Sequence, residues 1–108
     1  MLELTAEQIA VLERLAGAGY EIVAFPMYAS AVGVRRGECA ALLERVEGGM
    51  RLLGEACWVM EGNLSVRVRR DGREWFVWKK KQVEATKERV AEVKQFQEDV
   101  KRMLAGRG

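Results

Sequence analysis

The sequence predicts an α+β fold: a strongly bent antiparallel sheet of five or six strands, a meander or roll, flanked by an N-terminal helix and a longer C-terminal helix. Three observations carry this. Apolar residues recur at three- and four-residue steps near both ends of the chain. Glycine-containing dipeptides cut the middle into short runs. One of them, Asp71-Gly72, is the strongest short-range hairpin signal a sequence offers, because a type I′ turn needs positive φ at both central positions. At 108 residues the chain is expected to form a single domain, 1–108, large enough for one core without disulfide or metal support.

The elements follow in order. Thr5 and Gln8 stand in capping-box spacing, with Leu4 and Ile9 placed as a hydrophobic staple. Ile9, Leu12, Leu15 and Ala16 then form one stripe, which predicts a helix over 6–17 that Gly17 and Gly19 stop. From Tyr20 the stretch YEIVAFPMY is aromatic and β-branched, so it reads as a strand ending at Pro26. Arg36-Gly37 and Gly48-Gly49 separate three further runs, expected as strands near 31–35, 38–46 and 50–54. The middle run, to residue 47, also suits a helix, because Ala40, Ala41, Leu42, Leu43 and Glu44 are good helix formers. ACWVMEGN supplies another short strand. Thr86 caps the last helix, Glu88 lies in its first turn, Lys101 and Arg102 in its last, and Gly106 marks its end.

The composition excludes more functions than it indicates. Cys39 and Cys57 are the only cysteines and there is no histidine. A structural zinc site is therefore not expected, nor a bound cofactor, and the cysteines read as small buried apolar groups. Without histidine the usual general base and the usual partner of a nucleophilic Ser or Cys are missing. Two serines, two threonines, two aspartates and one asparagine leave little else, since caps and turns use most of them. The expectation is a protein that is not an enzyme. The first residues lack a basic segment before an apolar run, and no apolar stretch approaches the ~20 residues of a membrane span. The cytoplasm is the expected location, and no membrane partner is expected.

One segment stands out. Ser65–Lys81 holds seven basic residues against two acidic ones in a chain whose overall net charge is only +2. A two-residue loop at Asp71-Gly72 pairs Arg70 with Arg73, Arg69 with Glu74, Val68 with Trp75, Arg67 with Phe76 and Val66 with Val77. One face then carries Leu64, Val66, Val68, Trp75 and Val77 and is expected to be core. The other carries Arg67, Arg69, Phe76 and Trp78, followed by Lys79 and Lys80. Two exposed aromatic rings would approach the largest apolar patch a soluble monomer shows, so something should cover them.

That surface defines the candidate functions. The first is association with a protein partner, a homodimer being expected, through the hairpin or through the helix stripe of Val93, Phe96 and Val100; Val83, Val90, Gln97 and Leu104 with Thr86, Val93 and Val100 follow a heptad. The alternative is nucleic-acid binding through 65–81, where rings would stack on bases and cations meet phosphates. Coverage of Phe76 and Trp78 by the chain's own helices competes with both.

Overall fold

A computed structural model describes residues 3–105. The chain is α+β. Helix α1 (Ala6–Gly17) is followed by β1 (Glu21–Val23), a 3-10 turn (Pro26–Tyr28), β2 (Val32–Arg36), β3 (Cys39–Val46), β4 (Gly49–Met60), β5 (Asn63–Leu64), β6 (Val66–Arg70), β7 (Arg73–Trp78), β8 (Lys81–Glu84) and helix α2 (Lys87–Leu104). All strand pairs are antiparallel neighbours in sequence, in a curled sheet β1-β2-β3-β4-β5 and a second sheet β6-β7-β8. No described helix is long and apolar enough to cross a membrane.

Helix α1 begins as its spacing predicts. Gln8 N–H donates to Thr5 Oγ1 at 3.2 Å, and Thr5 N–H donates to Gln8 Oε1 at 3.0 Å. The buried stripe, however, is Gln8, Val11 and Leu15, and Ile9 is exposed. Gln8 can sit inward because its other amide atom is also satisfied, Nε2 donating to Val46 C=O at 3.2 Å. A polar residue thus occupies a core position and turns the helix face by one residue. Helix α2 is capped by Thr86 and lies mainly against β4 and β3, burying Val93, Phe96 and Val100. The stop expected at Gly106 lies outside the described residues.

The run 38–46 is strand. Val32 to Val34 and Cys39 to Leu43 are buried at every position, so both faces of β2 and β3 are covered there, one by α2 and the other by the segment around Phe25. Gly33 makes the second cover possible: a Cβ there would stand 2.7 Å from Phe25 Cε2 and 2.8 Å from Val23 Cγ2. Continuous burial also explains why local composition left helix and strand both open. Alternation disappears when a strand has no wet face.

Three boundaries differ from expectation, the first being that β1 ends at Val23 and Pro26 opens the 3-10 turn. The runs on either side of Gly54 form one strand, β4, interrupted by a bulge: Leu42 pairs with Leu53, but the next pair is Ala40 with Cys57. Gly54 has φ 73°, which lets the extra residues bend away without breaking the strand. Lys81–Glu84, not anticipated as a strand, returns along β7 as β8, so Lys79 and Lys80 form the turn of a second hairpin.

Candidate functional site

The hairpin has the expected register, Val66–Val77, Arg67–Phe76, Val68–Trp75, Arg69–Glu74 and Arg70–Arg73, around a turn with φ 52° at Asp71 and 76° at Gly72. Its faces are the reverse of expectation. Phe76 is 1% exposed and Trp78 packs against the core, whereas Val66 is 56% exposed. Val68, Trp75 and Val77 are half-buried, and none of the three packs against the core. The cause is Trp58 of β4, which lies parallel to Phe76 with ring centroids 5.7 Å apart and an interplanar angle of 11°. Arg89 of α2 places its guanidinium 5.8 Å from the same Trp58 ring. Leu64 is buried as expected, but it belongs to β5, before the chain leaves β4.

The outer face of β6-β7-β8 is therefore apolar at its centre and polar at its margin. Val66 and Val77, then Val68 and Trp75, form adjacent rows, and the register places Gln82 and Glu84 on the same face. Arg70 Nη2 reaches across β7 to Gln82 Oε1 at 2.7 Å, partly roofing that face.

A slot opens between β4 and β6. Ser65 N–H still donates to Trp58 C=O at 3.0 Å, and Ser65 Oγ donates to the same carbonyl at 2.6 Å. Past Ser65 the two strands part. Val59 N–H points to the β3 side, donating to the C=O of Glu38, the residue before β3, at 2.7 Å, so Ala56 N–H points away from β3 and towards β6. Gln97 of α2 takes it, Oε1 accepting at 2.7 Å. The resulting cavity, 650 Å³, lies between Glu55 and Ala56, the Arg67–Arg69 edge, and Val93, Lys94, Gln97 and Glu98. A second cavity of 340 Å³ shares Glu55, Ala56, Arg67 and Val93 with it and opens towards Tyr28, Leu53 and Val66.

The residues singled out from sequence divide into two groups. Phe76, Val93, Phe96 and Val100 are core, so the stripe on α2 is consumed by the chain's own sheet. Arg67, Arg69, Lys79 and Lys80 are exposed. Arg67 Nε donates to the Glu74 carboxylate, and that hydrogen bond holds Glu74 below the ordinary carboxylate value and raises Arg67. Lys79 lies 5.6 Å from the Trp78 ring. Lys81 pairs with Glu61, so part of the hairpin's charge is met within the chain. Val66, Val68, Trp75 and Val77, expected as core, lie outside it, and Gln97 carries no local signal in the sequence.

Cys39 is buried and donates towards Glu92 Oε2 at 3.6 Å; burial, reinforced by that carboxylate, pushes its thiol up to about 12. Cys57 is buried beside Ser65 Oγ at 3.4 Å. Among the described residues no group of three or more His, Cys, Asp or Glu could hold a metal ion. Compared with protein-family models, curated proteins and solved structures, the chain matches none of them.

Proposed function

We propose that this is a non-enzymatic protein that acts by association, with a second copy of itself as the first partner, through the outer face of β6-β7-β8. One observation carries the reading: Val66, Val68, Trp75 and Val77 form two apolar rows on a sheet face that, among the described residues, does not pack against the core. Polar groups at its margin, Arg70, Gln82 and Glu84, suit a rim around an apolar centre. A copy of the same face, turned by a two-fold axis, would lay each apolar row on its equivalent.

The test is light scattering coupled to size exclusion. A doubled mass that reverts to the single-chain 12.2 kDa on Val66→Lys supports the proposal, and the exposure of Val66 makes the substituted chain able to fold. A single-chain mass for the unsubstituted protein at millimolar concentration rejects it. Nucleic-acid binding has less support: Phe76 is inside, Trp78 is half-buried, and the basic residues lie on both faces of the ribbon. Retardation of a short single strand that fades with salt would restore that reading.

A further inference from the structure

The backbone of β6 presents an unfilled edge. In a two-residue hairpin the residues flanking the turn exchange both hydrogen bonds, so Arg70–Arg73, Val68–Trp75 and Val66–Val77 are the bonded pairs. Arg67 and Arg69 then turn their N–H and C=O groups away from β7. Two neighbours agree with that alternation: Ser65 N–H points to β4, and Glu74 C=O, opposite Arg69, accepts from Ala85 N–H at 2.9 Å on the far side of β7. No pair joins β6 to β4 among the described residues, and Gln97 already holds the Ala56 N–H that would have met Arg67. Among the described residues no hydrogen bond takes the backbone donor or acceptor of either outward residue of β6, and both face the slot.

We infer that this edge takes an extended segment of a different polypeptide as an added strand, one that alternates carboxylate side chains with β-branched or aromatic ones. An added strand continues both faces of the sheet it joins. Its residues on the outer face would lie beside Val66 and Val68, and those on the inner face beside Arg67 and Arg69. Arg67 is engaged by Glu74, but Arg69 is exposed and has no carboxylate at ion-pair distance among the described residues. The slot is also lined by Glu55 on β4, by Lys94 and Glu98 on α2 and by Glu74, which Arg67 already holds, so Arg69 is the β6 cation left to meet an incoming carboxylate. A second copy's β6 is a poor occupant, because antiparallel pairing centred on Val68 sets arginine against arginine. The hydrogen bonds of the site come from the strand edge, which self-association through the outer face leaves unused.

The test uses an amidated synthetic peptide in which three valines alternate with two glutamates, added to the full-length chain and followed by amide hydrogen exchange at single-residue resolution. Slowed exchange at Arg67 and Arg69 is expected, with at least tenfold weaker binding when lysines replace the glutamates. Arg69→Glu should reverse that preference. Unchanged exchange at both amides at saturating peptide, or protection confined to Trp75 and Val77, overturns the inference. Repeating the titration on a Val77→Lys chain, substituted on the outer face but on β7 and so one strand away from the β6 edge, separates the result from self-association: edge protection in a single-chain species supports the added strand, and its loss there overturns the inference.

Discussion

Phe76 lies flat against Trp58, 5.7 Å between ring centroids, and this stack decides which way the β6–β7 ribbon faces. The pair joins the second sheet to β4 at the point where the two sheets part, and α2 closes over it through Arg89. Removing Phe76 leaves a cavity between sheets, so Phe76→Ala should cost about 3–5 kcal/mol in urea unfolding. Val66→Ala, one row away on the open face, should change stability by no more than about 0.5 kcal/mol. Equal losses at the two positions would mean that the ribbon's faces are assigned wrongly here.

Gln97 is a side chain that stands in for a strand. Its Oε1 accepts from Ala56 N–H at 2.7 Å, in the place a β6 carbonyl would take if the ladder continued. Gln97→Leu leaves that donor, on a residue only 8% exposed, without a partner. The expected loss is about 1–3 kcal/mol, accompanied by faster hydrogen exchange at Ala56. A chain of unchanged stability whose Ala56 amide stays protected would show that β6 closes onto β4 once the glutamine is gone.

The register of the hairpin was legible because Asp71-Gly72 dictates it locally, whereas its orientation was not. Residues 66, 68, 75 and 77 are apolar on one side and Phe76 and Trp78 are apolar on the other, so alternation alone does not name the inner face. Trp58 does, and it is 18 positions away from Phe76. Lys81–Glu84 was missed for a related reason: Lys, Gln and Glu have little strand preference, and β8 exists because β7 offers it an edge. Capping of both helices was legible, since Thr5 and Thr86 act within three residues of themselves. The slot was not, because it depends on Gly54 bending β4 and on Gln97 arriving from the last helix.

Both thiols should be silent in the folded protein. Cys39 is 1% exposed and its thiol is pushed up to about 12 by burial and by Glu92, so almost none is thiolate in mildly alkaline solution. Cys57 is 8% exposed. Iodoacetamide at mildly alkaline pH should therefore modify neither until the chain opens, and both in urea. Mass spectrometry after a timed pulse checks this. Rapid modification of Cys39 in the native state would place that strand face in contact with solvent.

Asp99 ties the end of β2 to α2. Its carboxylate accepts from Arg36 Nη2 at 2.8 Å, from Gln95 Nε2 at 2.9 Å and from Arg102. Arg36 in turn lies 4.7 Å from the Tyr20 ring and 5.8 Å from Phe96. The Arg36 hydrogen bond is the leading reason that Asp99 titrates below the ordinary aspartate value of 3.8. With the folded value depressed, the unfolded chain takes up this proton first as the pH falls. The contribution to stability is therefore complete above the unfolded value, lost on descending through the window between the two, and gone below the folded one. Glu74, depressed by Arg67, acts in the same sense. Thermal unfolding of the protein and of Asp99→Asn, followed from neutral pH to about pH 2, should show a Tm difference that is constant near neutrality and narrows in acid. A difference that persists unchanged to the acid end would mean that Asp99 contributes through packing and not through its charge.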